Sequence, residues 1–168
     1  MLPGREEMRV QIPPPEQTKR LEDMAKYLIG LDPGTNTGLA IWDAIERRFV
    51  RLETLGIVTA MAELVQFLRY HGAMTDCAFY IEDARQRQWL PRERNLSEYR
   101  GKLMGAGSVK RDCAIWEEFA IYYGIPLNLV PPRKGLTKWD ADTFNKMTGW
   151  KGRTSNHARD AALLVWGK

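Results

Sequence analysis

Apolar and polar positions fall along this chain in blocks of different period. Tyr27–Asp32 is an apolar run ending in an acid, residues 39–42 form a second apolar run, and Pro33-Gly34 supplies a turn between them. Together they predict a hairpin that holds the Asp32 carboxylate at a fixed place on a sheet. An acid beside a glycine turn suits either a metal ion or the close approach of a phosphate. Residues 49–55, with mixed alternation at Val50, Leu52 and Thr54, predict a third strand. Residues 60–70 place Met61, Leu64, Val65 and Leu68 at helical spacing. Cys77–Glu82 is continuously apolar up to its final acid, as expected of a strand buried on both faces. Leu96–Tyr123 predicts a long helix, with Gly101 to Gly107 allowing an interruption and Gly124 its stop. Residues 125–130 predict a fifth strand. Asp140 is placed to cap a short helix reaching Met147, and Ser155 or Asn156 to cap a last one holding Ala158, Ala161, Ala162, Leu164 and Val165.

Three strands, a helix, a strand, a helix, a strand and further helices form an α/β pattern. It suits a mixed sheet covered on both faces. Residues 1–25 are polar and broken by Pro3 and Pro13-Pro14-Pro15, which predicts an extended arm before a single domain at 26–168. Met24 is a possible internal start. No internal repeat is visible.

Composition narrows the classes. The chain has 168 residues, enough for one domain with a real core, and no apolar run approaches the roughly 20 residues that cross a bilayer. The N-terminus has no apolar core followed by a small-residue cleavage site, so a cytoplasmic protein is expected. Cys77 and Cys113 lack metal-ligand spacing and read as reduced, buried thiols. The net charge of +4 is modest and informative only where it is clustered.

Three acids stand at element ends: Asp32, Glu82 and Asp160. If the first and fourth strands are neighbours, Asp32 and Glu82 come close together. Carboxylates so placed repel, and a shared divalent cation relieves the repulsion. Hard oxygen ligands favour Mg²⁺ or Mn²⁺ over zinc. Two such ions about 4 Å apart activate a water and stabilise the leaving oxygen in phosphodiester cleavage. His157 precedes Asp160 by three residues on one helix face, where it suits a ligand or a general acid or base. Each acid also has a plainer reading: a turn cap at Asp32, and solvent-exposed carboxylates at Glu82 and Asp160. Asp83 points to the opposite face if its strand continues.

Ile29-Gly30-Leu31-Asp32-Pro33-Gly34-Thr35-Asn36-Thr37-Gly38, Ile81-Glu82 and His157-Ala158-Arg159-Asp160-Ala161-Ala162 together resemble the RuvC-type Holliday junction resolvases of the ribonuclease H-like (retroviral integrase) superfamily. The resemblance covers about residues 26–168, including the glycines around Gly105-Ala106-Gly107. It implies a ribonuclease H-like mixed five-stranded sheet with helices on both faces. It also implies a homodimeric, Mg²⁺-dependent endonuclease that cuts four-way DNA junctions in recombination and repair. By motif, Asp32, Glu82 and Asp160 become metal ligands for a pair of ions. His157 falls where many members carry a further aspartate and some a histidine, so its role as ligand or proton carrier stays open.

Basic residues follow the second acid. Arg85, Arg87, Arg92 and Arg94 surround Trp89, and guanidinium groups suit phosphate while an aromatic ring suits an unpaired base. The resemblance makes Trp89 a candidate wedge at a junction centre. The plainer reading is a solvated loop with Trp89 in the core. Lys110 and Arg111 extend the basic surface along the long helix, and Arg133 and Lys134 add another run. Branched DNA is the partner expected. For a dimer, Ile115, Trp116 and Phe119 are interface or core candidates. Three other readings stay open: a ribonuclease H-like nuclease for flaps, hybrids or replication intermediates; an actin-like ATP-binding domain, whose phosphate loop is similar; and an inert DNA-binding module.

Overall fold

A computed structural model describes residues 24–87, 96–132 and 139–168. The expected arm lies outside the described residues except for Met24, which is exposed, and Ala25, which is already buried in the body. Five strands, β1 (Tyr27–Asp32), β2 (Thr37–Asp43), β3 (Arg48–Leu55), β4 (Cys77–Glu82) and β5 (Leu127–Val130), form one sheet in the order β3-β2-β1-β4-β5. The first three meander antiparallel, whereas β4 and β5 run parallel to β1. The helices are α1 (Ile57–Tyr70), α2 (Leu96–Tyr123), α3 (Ala141–Thr148) and α4 (Asn156–Leu163). This is the α/β architecture expected, and its mixed five-stranded sheet fits the ribonuclease H-like arrangement.

Strand alternation divides the core in two. Tyr27, Ile29 and Leu31, with Leu39, Ile41, Phe79 and Ile81, face α1 through Leu64 and Leu68 and α2 through Trp116 and Ala120. Leu28, Ala40, Trp42 and Ala78 face the other way, against Phe144 of α3, Ala161 and Ala162 of α4, and Val165 just beyond it. Trp116 is fully buried, and Phe119 stacks on Phe79 at 6.1 Å. These two rings, candidates for a dimer interface on sequence, belong to the core. Ile115 is half-buried.

The predicted ends shift where local geometry decides them. α1 begins at Ile57, three residues ahead of the periodic stretch, with Gly56 as its extended N-cap. β5 begins at Leu127 because Gly124, in the left-handed region at φ 65, turns the chain and Ile125 N–H returns to Ala120 O. α2 runs unbroken through Gly101, Gly105 and Gly107. A Cβ at any of these glycines would meet nothing within 4 Å, and Leu103, Met104, Lys110 and Arg111 are exposed. Among the described side chains of α2, Cys113 is the first that is buried. Both cysteines are free and buried, and burial pushes the Cys77 thiol up to about 12 and also raises that of Cys113. No helix among the described residues is long and apolar enough to cross a membrane.

Candidate functional site

β1 and β4 are parallel neighbours paired from Tyr27 with Cys77 to Leu31 with Ile81. One step further along the same register stand Asp32 and Glu82. Adjacent strands lie about 4.8 Å apart, so the two backbones present their acids side by side. Their parity matters as much as the spacing. Asp32 and Glu82 share the even-numbered face of their strands with Leu28 and Ala78, the face that α4 covers. Both acids are half-buried.

α4 brings the other two candidates to this edge. Ser155 caps it, its hydroxyl accepting from Ala158 N–H at 3.1 Å and also meeting the Thr54 hydroxyl of β3. His157 then sits with Nδ1 2.8 Å from Asp32 Oδ2. The imidazole is half exposed while the carboxylate is 16% exposed, so the pair forms at the rim of the sheet. Asp160, one turn later, is half-buried between the buried residues Arg159 and Ala161. Thus sequence-distant Asp32 and His157 are in contact, and Glu82 and Asp160 belong to elements that meet the same face.

Two glycines of the hairpin make that approach possible. Gly38 is the cross-strand partner of Asp32, and Gly30 lies two residues before it. A Cβ on Gly38 would collide with the carbonyl of His157, and one on Gly30 with the carbonyl of Ala161. The backbone of α4 therefore rests directly on β1 and β2, closer than any side chain permits. The space over these glycines is filled by protein backbone. The turn glycine Gly34 differs: a Cβ there would have only Asn36 O near it, at 3.9 Å.

Arg159, unremarked in the sequence, fastens the same helix. It is 8% exposed, and its guanidinium donates to Trp139 O at 2.9 Å, Thr154 O at 2.8 Å, Thr154 Oγ1 at 3.0 Å and Asn156 Oδ1. A buried cation must be hydrogen-bonded throughout to be tolerated, and here Trp139 ahead of α3, with Thr154 and Asn156 at the start of α4, supplies the acceptors. The available signal was an arginine inside the apolar stripe Ala158, Ala161, Ala162.

The basic segment divides. Trp89, Arg92, Arg94, Arg133 and Lys134 lie outside the described residues. Arg87, Lys110 and Arg111 are exposed. Arg85, expected to meet phosphate, is engaged within the protein. Its Nε donates to Asp83 Oδ1 at 2.7 Å, its Nη2 to Asp83 Oδ2 at 3.2 Å and its Nη1 to Glu117 Oε2 at 2.6 Å. Asp83, 3% exposed, does face away from Glu82, as its parity requires. Burial alone would raise its carboxyl, but hydrogen bonds from Arg85 and Gln86 outweigh that and hold it below the usual carboxylate range.

As donors, the three carboxylates suit a hard divalent cation in kind, whereas the imidazole is a borderline ligand. Among the described residues, no three His, Cys, Asp or Glu side chains are gathered closely enough to hold an ion as they stand. Gathering carboxylates and binding a cation go together, because the cation offsets their repulsion. No family model matches the chain, and no curated protein sequence matches it.

Proposed function

We propose that this protein is a divalent-metal-dependent endonuclease of the ribonuclease H-like kind, acting on branched DNA and, foremost, on four-way junctions. The observation that carries the reading is the adjacency of the Asp32 and Glu82 positions, at the ends of paired parallel strands, with His157 Nδ1 2.8 Å from Asp32 Oδ2. Asp32, Glu82 and Asp160 would hold Mg²⁺ or Mn²⁺, as a pair of ions. Bound there, the metal supplies an activated water and charge stabilisation for the leaving oxygen.

The chain's own residues supply orientation. Asp32 fixes the imidazole of His157 through Nδ1, which leaves Nε2 as the nitrogen able to exchange a proton with water. Lys151 and Arg153 are exposed on the segment leading to Ser155, and Lys110 and Arg111 on α2. Such residues suit phosphate contacts that recognise the shape of a nucleic acid rather than its sequence. Two cuts across one junction call for a second copy of the chain, so a homodimer belongs to the reading.

Synthetic four-way junctions and matched linear duplexes, incubated with Mg²⁺ or Mn²⁺, test it. Junctions are expected to be cleaved in preference, and equal cutting of both would overturn the junction specificity while leaving the nuclease. No cutting of either, by protein that binds DNA, would favour an inert binding module.

A further inference from the structure

Glu82 and Asp83 leave β4 on opposite faces, and the side away from the acids is held far more tightly than a sheet edge requires. Asp83 N–H donates to Val130 O of β5 at 2.8 Å. The Asp83 carboxylate accepts four hydrogen bonds: Arg85 N–H at 3.1 Å, Arg85 Nε at 2.7 Å, Arg85 Nη2 at 3.2 Å and Gln86 Nε2 at 3.3 Å. Gln86 Nε2 also reaches Leu129 O at 3.4 Å. From α2, Glu117 takes the third Arg85 nitrogen at 2.6 Å, and the Cys113 thiol points at the carbonyl of Glu82 itself at 3.5 Å. The peptide that carries Glu82 is thus fixed to β5 on one side and to α2 on the other.

A planar guanidinium with three nitrogens committed to two carboxylates is a rigid fork, unlike a side chain held for solvent or phosphate. Residues that orient a metal ligand govern metal affinity without touching the metal. We propose that Arg85 and Glu117, acting with Asp83, are positioning residues that set the direction in which Glu82 presents its carboxylate, rather than contacts to DNA. This rests on the metal-centre reading above.

Mn²⁺ binding, followed by the paramagnetic resonance signal of the free ion, tests it on the full chain. Arg85→Ala and Glu117→Ala are each expected to weaken Mn²⁺ binding about tenfold, the low end for loss of an orienting partner. The double variant is expected to be no weaker than the worse single one, because the two act as a unit. Glu117→Gln keeps an acceptor and is expected within about twofold of the unmodified protein. Junction affinity measured without metal is expected to stay within about twofold throughout, since phosphate contacts lie elsewhere. Should the alanine variants melt at the assay temperature, Arg85→Lys carries the test; it keeps the charge, loses the fork, and is expected to weaken Mn²⁺ binding about threefold.

Unchanged Mn²⁺ affinity in these variants, with the unmodified protein binding the ion, would overturn the positioning role alone. So would opposite effects on DNA, Arg85→Ala weakening binding and Glu117→Ala strengthening it, because a freed Arg85 would then be a phosphate contact. An unmodified protein that takes up no Mn²⁺ would overturn the metal-centre reading and this inference with it.

Discussion

Glu82 and Asp83 are consecutive acids at the end of one strand, and the two sides of the sheet treat them in opposite ways. Asp83 is buried and saturated by Arg85 and Gln86, and its charge is neutralised within the fold. Glu82 stands half-buried beside Asp32 on the face where α4 delivers a half-exposed imidazole and a further acid. One side of the edge is a closed ion-pair brace, and the other brings acids and an imidazole to one face. A carboxylate whose lone pairs are satisfied by a guanidinium stabilises structure. Acids brought to one face repel one another, and a shared divalent cation offsets that repulsion.

The largest effect should come from the gathered side. Asp32→Asn and Asp160→Asn are each expected to lower the metal-dependent cleavage rate about a thousandfold, roughly 4 kcal/mol of transition-state stabilisation. Single-turnover cleavage of a junction measures this, with junction affinity expected to stay within about threefold. Retention of most of the activity by either variant would remove that residue from the ligand set.

Next comes the contact that makes the gathered side possible. Gly38→Ala would drive a methyl group into the carbonyl of His157. It is expected to destabilise the fold by about 3 kcal/mol, as overpacking against backbone does, and to separate His157 from Asp32. Urea unfolding gives the first quantity. Wild-type stability in this variant would mean that α4 does not rest on β2 as described.

On the closed side, Asp83→Asn should cost about 2 kcal/mol at neutral pH, the loss of charge-assisted hydrogen bonds in a buried place. Because the folded carboxyl sits below its ordinary value, its contribution is fully present above the unfolded value, about 4. It is lost as pH falls through the folded one. The gap in melting temperature between the two proteins is therefore expected to close in acid. A gap independent of pH would mean that packing, and not charge, holds Asp83.

The smallest effect concerns the surface. Replacing Lys110 and Arg111 together with Ala is expected to reduce the slope of log affinity against log salt by about 2 for duplex DNA, near one unit per phosphate contact. An unchanged slope would make this part of α2 a solvated surface and nothing more.

Much of this was legible in the sequence because it depends on local rules. The bounds of β1 and β4 follow from uninterrupted apolar runs, and the caps at Asp140 and Ser155 from the side chains that satisfy helix N-termini. Period-2 alternation alone sends Glu82 and Asp83 to opposite faces. The glycines of α2 allowed an interruption as well as a continuous helix, and the helix continues. Each helical glycine costs only about 1 kcal/mol, which the rest of a 28-residue helix absorbs.

Tertiary structure alone decided which charges meet. Arg85 reads as basic surface in sequence. It became a brace because Glu117, 32 residues later, arrives on α2 at 2.6 Å. Trp116 and Phe119 could have been interface or core until the register of α2 against β4 placed them beneath Phe79. Nothing local marks Gly30 and Gly38 as the places where α4, more than a hundred residues on, comes to rest. The sequence itself determined the strands, their parity and the acids at their ends, because those depend on neighbours along the chain. Partners across the sheet depend on how separate elements pack, and no local period encodes that.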